Sequence, residues 1–190
     1  MTQHVWWYTA RAGGLVAWGL VVASCTWGLL LALRAHVLGF RPTAAWTLSL
    51  HRWLGALAVT FTAVHVLALL ADNFVGFGVT DVLVPFATSW HPVAVAWGIV
   101  GMYLLAAVEI TSLFRLRVRP RTWRAIHLLS YVLLGVTTIH LLTAGTDSTT
   151  VIPEALAVVA GMVAVFGSTL LLMWRSAPRT RRVFAQRQGG

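Results

Sequence analysis

The sequence predicts an all-α membrane protein, a bundle of five transmembrane helices. Three observations predict it. Of 190 residues, 58% are hydrophobic and only 10% charged, with a mean hydropathy of +0.80; a soluble domain carries roughly 25% charged residues. Five stretches free of charge are each long enough to span, since a bilayer needs about 20 apolar residues. The basic residues are 14 arginines and no lysine, and they gather at alternate connections between those stretches, as topology in a membrane demands.

The first stretch, Ala12–Leu33, is too long for a signal-peptide core, and the segment before it is nearly uncharged. It reads as a retained helix. The second is Trp53–Ala71. The third, Val82–Val108, is longer than a span requires and contains Pro85 and Pro92. Its helix is expected to begin near Pro92, because proline suits the first helical turn. The fourth and fifth are Ala125–Thr146 and Ala155–Trp174. This divides the chain into an outer segment (1–11), one transmembrane domain (12–175) and an Arg-rich cytoplasmic tail (176–190), with no room for a second sizeable domain. A single cysteine, Cys25, excludes an intrachain disulfide and a cysteine-based metal cluster.

Arg34, Arg41 and Arg52 flank the first connection; Arg115, Arg117, Arg119, Arg121 and Arg124 fill the third; five more follow the last stretch. Only Arg11 falls on the other side. The expected orientation therefore has the N-terminus outside and the C-terminus in the cytoplasm of the cell membrane. The same placement explains the basic balance without nucleic acid, which is not expected as a partner. Trp6, Trp7, Trp46, Trp53, Trp90, Trp123 and Trp174 fall near the expected helix ends, where amphipathic rings anchor at the interface.

Four histidines carry the chemistry. His51 and His65 lie 14 residues apart in the second span; His127 and His140 lie 13 apart in the fourth. With the arginine topology, these two helices run parallel, so His51 and His127 share the cytoplasmic level and His65 and His140 the outer one. Histidine inside a bilayer marks a functional position, and imidazole is a common metal and haem-iron ligand. Fourteen helical residues give about 21 Å of rise and a turn of only about 40°, so His51 and His65 face one neighbour. Gly55, Ala58 and Thr62 lie on that stripe. Thirteen residues give a similar rise but about 140° of rotation, so an ideal helix would turn His127 and His140 apart. One zinc or copper ion cannot gather ligands so far apart. Two metal centres can: His51 with His127 for an inner haem, His65 with His140 for an outer one. Two axial imidazoles per iron suit electron transfer rather than substrate activation. The alternative is a haem-free small transporter or assembly factor whose histidines pack or relay protons.

On these residues the chain resembles the ferric reductase-like transmembrane domain, found in ferric reductases, NADPH oxidases and bacterial haem subunits of methionine sulfoxide reductase systems. The resemblance rests on His51-Arg52 with Gly55 and His65, on Arg121-Thr-Trp123-Arg124-Ala-Ile-His127-Leu-Leu-Ser-Tyr131, and on His140. The N-terminal Trp6-Trp-Tyr8-Thr-Ala-Arg11-Ala-Gly13-Gly14 is similar to the start of small bacterial members. The resemblance implies b-type haem between the histidine-bearing helices and tolerance of the second spacing; two haems are expected, with a single-haem variant as the alternative. It also implies an oxidoreductase electron-transfer subunit. Many family members have six helices where five are expected here, and no Gly-x-Gly-x-x-Gly follows a strand. A flavoprotein or quinol is then the expected cytoplasmic donor, and the acceptor is left open between ferric iron, a quinone, oxygen and an outer-face protein.

Haem propionates need cations. Arg52 and Arg124, each within a turn of an inner histidine, are the expected cofactor contacts, with Arg11 in that position for the outer site. Glu109, the acid immediately after the third uncharged stretch, is expected to pair with Arg115 or sit at the interface. Phe61 lies between the two levels as a packing residue. His4, His36 and His91 are expected in loops or termini.

Overall fold

A computed structural model describes residues 5–32, 44–73 and 75–144, together with 156–157, 159–161, 163–164 and 167–168 of the last apolar stretch. Its helices are α1 (Val5–Ala32), α2 (Ala44–Ala71), the short α3 (Val79–Leu83), α4 (Pro92–Leu113) and α5 (Pro120–Ala144). Four of them, all but α3, are long and apolar enough to cross a membrane. Within lipid the backbone must satisfy its own polar groups, and the helix does so within one segment. The large apolar side chains Trp53, Leu67, Tyr103 and Leu113 are accordingly exposed on the outside of the bundle.

The four long helices correspond to the first four predicted spans; α1, α2 and α5 start five to nine residues earlier than the uncharged stretches, and α4 ends five residues later. α1 takes in Trp6, Trp7 and Arg11, and α2 takes in His51 and Arg52. The third span starts at Pro92, as the proline indicated, with His91 as a left-handed N-cap at φ 41°. α5 also opens on proline. The fifth predicted span falls mainly outside the described residues; those described between 156 and 168 are helical. Ala157 and Ala160 among them are buried. The arginines at 34, 41 and from 175 onward, His4, His36 and Trp174 lie outside the described residues.

The helices form two hairpins, α1 along α2 and α4 along α5. In the first, α1 runs antiparallel to α2: Gly14 meets His65 and Gly28 meets His51. α1 is antiparallel to α5 as well, since Trp18 Nε1 donates to Thr138 Oγ1 at 3.0 Å and the Cys25 thiol to the Ser130 carbonyl at 3.7 Å. Two helices antiparallel to the same third helix are parallel to one another. α2 and α5 therefore run the same way, as the arginine pattern required. Between them, Trp18, Val21, Ala58, Leu105 and Leu133 form the central core.

The connection between α2 and α4 folds over the end carrying His65 and His140. Asp81 Oδ2 accepts from the Gly78 amide at 2.8 Å and ties the start of α3. Phe77 and Val82 pack with Val95 and Ile99 of α4. At the opposite end, the α4–α5 connection carries Arg115, Arg117 and Arg119.

Gly101 sets the closeness of α4 and α5, because a Cβ there would lie 2.7 Å from Thr137 Cγ2. Small residues at membrane helix interfaces permit this approach. Gly101→Val is expected to destabilise the detergent-solubilised chain by about 1–3 kcal/mol through overpacking. A lowered thermal midpoint checks this; an unchanged midpoint contradicts it.

Candidate functional site

Each histidine of α2 meets one of α5. The rings of His51 and His127 have centroids 6.0 Å apart with planes at 80°. Those of His65 and His140 are 6.3 Å apart at 75°. The 13-residue spacing therefore does not turn His127 and His140 to opposite sides, and both face α2. All four rings are half-buried.

Neighbouring backbone holds these rings from behind. His65 Nδ1 lies 2.7 Å from the Ala10 carbonyl of α1, and His140 Nδ1 lies 2.8 Å from the Ala94 carbonyl of α4. A carbonyl only accepts, so Nδ1 carries the proton in both rings and Nε2 keeps its lone pair. This is how metal-ligating histidines are oriented by their surroundings. His51 Nδ1 pairs with Ser24 Oγ at 3.3 Å. His127 Nδ1 is buried without a hydrogen-bond partner among the described residues; its ring stacks on Trp123 instead, with centroids 4.9 Å apart and planes at 20°.

Glycine makes room for three of the rings. A Cβ on Gly14 would lie 2.9 Å from His65 Nδ1, one on Gly28 3.1 Å from His51 Cε1, and one on Gly98 2.7 Å from His140 Cε1. The first two glycines lie 14 residues apart on α1, the same interval as His51 and His65 on α2. That matched interval was a sequence signal for the site, and the reading from histidines alone passed over it.

At the outer pair the helices enclose a cavity of about 580 Å³, within the usual size range of small-molecule and cofactor sites. His65 and His140 line it with Thr62, Gly98 and Thr137. Arg11, Trp7 and Tyr8 of α1 and Phe77 and Trp90 of the outer connection line it as well. Arg11 thus lies at the same cavity as His65 and His140. Trp18 also lines the cavity and reaches the central core. It is the buried aromatic between the two levels, a place where the sequence drew attention to Phe61.

The remaining candidates fall as follows. Arg52 and Arg124 lie at the end of the bundle that carries His51 and His127, and both side chains are exposed. Glu109 packs against Gly55 of α2, while the Arg115 guanidinium lies 5.4 Å over the Trp123 ring. The pairing of Glu109 with Arg115 is therefore not the arrangement found. Of the stripe on α2, Gly55 faces α4, Ala58 fills the central core and Thr62 lines the cavity. His91 caps α4 against Trp90, with ring centroids 4.6 Å apart.

Among the described residues, no three of His, Cys, Asp and Glu converge as a metal-ligand group. The described side chains offer two imidazoles at each level, so a metal held there would take its other ligands from elsewhere. A family model described as "Ferric reductase like transmembrane component" matches residues 5–138. The chain belongs to this family. The matched region contains His51, His65 and His127 and stops two residues before His140. Domains of the family generally bind haem, and membership supports a membrane redox role. No curated protein and no solved structure matches the chain.

The pairing can be tested without any cofactor. In a Cys25→Ser background, His65→Cys combined with His140→Cys is expected to cross-link with a short bis-thiol reagent, as is His51→Cys with His127→Cys. His51→Cys with His140→Cys is expected not to, because the levels are about 20 Å apart. Cross-linking of that mixed pair, read as a mobility shift on a gel, would contradict the parallel arrangement.

Proposed function

We propose that the chain is a transmembrane b-type haem electron-transfer protein, the membrane subunit of a ferric reductase-like oxidoreductase. The observation that carries this reading is the equal separation of two imidazole pairs, 6.0 and 6.3 Å between centroids, at two levels of one bundle. A metal-bound imidazole nitrogen lies about 2 Å from the metal, and the ring centroid about 1 Å behind it, so two opposed imidazoles on one metal have centroids roughly 6 Å apart. The residues fit a haem: paired imidazoles, Nε2 left as the ligating nitrogen at the outer pair, and an apolar cavity between the helices. His51 and His127 would hold an inner haem, and His65 and His140 an outer one, in a five-helix bundle.

When bound, haem supplies a one-electron iron couple, while the protein supplies ligation, orientation and electrostatics. His65 and His140 present fixed lone pairs because the Ala10 and Ala94 carbonyls hold their opposite nitrogens. Phe77, Val82 and Trp90 narrow access of water to the outer site. Arg11 would supply positive charge for the propionates of a haem at the His65–His140 level, and Arg52 and Arg124 would do so at the His51–His127 level. The arginine-bearing α4–α5 connection supports a cytoplasmic inner end, an N-terminus outside and a C-terminus inside. A cytoplasmic flavoprotein or a quinol would deliver electrons, and an outer-face protein would accept them.

Haem content tests the reading. Purified chain is expected to hold two haems by pyridine haemochrome assay, and His65→Ala or His140→Ala to lose one. No haem in the parent chain would favour packing or proton-relay histidines; full retention in both outer variants would remove the outer site. Gly98→Val is expected to displace the His140 ring and weaken outer haem binding by at least about tenfold, the usual scale for groups that orient a ligand. Unchanged haem retention during dilution would count against that role for Gly98.

A further inference from the structure

The four histidines are not held alike. His51, His65 and His140 each have a hydrogen-bond partner at Nδ1. Among the described residues His127 has none at that atom, although the atom is buried. What His127 has is a stacked aromatic ring, Trp123, one helical turn before it on α5. The indole is held through its faces too: its Nε1 is buried without a partner, and the Arg115 guanidinium lies over the ring at 5.4 Å. Arg115, Trp123 and His127 therefore form a column leading from the α4–α5 connection to the inner pair.

We propose, resting on the haem-carrying reading above, that Trp123 is a positioning residue. It seats His127 by ring stacking where hydrogen bonds seat the other three histidines, and so makes the inner ligand pair electronically unlike the outer one. A ring that donates Nδ1–H to a carbonyl becomes a more basic ligand, and a more basic ligand favours ferric over ferrous iron. Both outer rings are placed to do this. At the inner level only His51 has a partner, a serine hydroxyl. The inner iron consequently takes the higher reduction potential. Stacking also keeps Nδ1 of His127 away from water, which would otherwise serve as its acceptor.

The test is a redox titration of the full-length, haem-loaded chain in detergent, followed by its visible spectrum. Two components are expected, the higher one disappearing in His127→Ala. Trp123→Leu opens space beside the imidazole and admits water to Nδ1. It is expected to lower the higher component alone, by about tenfold in the reduced-to-oxidised ratio at fixed potential, or about 59 mV for one electron. Trp123→Phe, which keeps a stacking ring, is expected to leave it in place. Arg115→Gln, which removes only the outer layer of the column, is expected to move it less and in the same direction. A merely structural tryptophan would not move one potential selectively. If the parent chain binds two haems and neither Trp123→Leu nor Arg115→Gln moves the higher component, the function stands and this inference is overturned. Equal shifts of both components would overturn it as well. A parent chain without haem would overturn both.

Discussion

The seating of imidazole rings against glycine-bearing helices is the interaction on which the rest of the structure depends. His65 lies against Gly14 and hydrogen-bonds to the Ala10 carbonyl, and His140 lies against Gly98 and hydrogen-bonds to the Ala94 carbonyl. Each contact joins the two helices of one hairpin, α1 to α2 and α4 to α5. It also fixes the depth and direction of the ring. In lipid there is little hydrophobic drive for helices to associate, so close packing at small residues and inter-helix hydrogen bonds carry the assembly. The same few contacts build the hairpins and aim His65 and His140 into the space between them.

From that constraint the two-level arrangement follows. α1 is antiparallel to both histidine-bearing helices, which makes those two parallel and puts equivalent histidines at the same depth. The central core of Trp18, Val21, Ala58, Leu105 and Leu133 fills the space between the levels. The levels remain unequal. The outer pair opens on a roomy cavity roofed by Phe77, Val82 and Trp90, with both rings held by carbonyls. The inner pair is held by a serine on one side and by a stacked tryptophan on the other.

Much of this was legible in the sequence because membrane proteins write their constraints plainly. Charge-free length gave the spans, Pro92 gave the start of α4, and the arginines gave the parallel direction of α2 and α5. The pairing of His127 with His51 and of His140 with His65 followed from direction and depth. What the sequence hid was local rotation and support. Thirteen residues on an ideal helix would turn His127 and His140 apart, yet the paired rings lie at nearly equal separations. The supporting carbonyls of Ala10 and Ala94 leave no trace in residue identity, since every residue carries one. Gly14 and Gly28 did leave a trace, the 14-residue interval they share with His51 and His65. Of the two positions expected for Glu109, pairing with Arg115 is not found, because Arg115 is drawn onto the face of Trp123.

The central claim is that each pair of rings ligates one iron from opposite sides, with ring planes close to perpendicular, at 80° and 75°. Electron paramagnetic resonance of the oxidised, haem-loaded chain tests this most directly. Two opposed imidazoles in nearly perpendicular planes are expected to give strongly anisotropic low-spin ferric signals, with no high-spin component at either level. A high-spin signal accounting for one haem or both would show an iron lacking one of its two histidines, and would contradict the account.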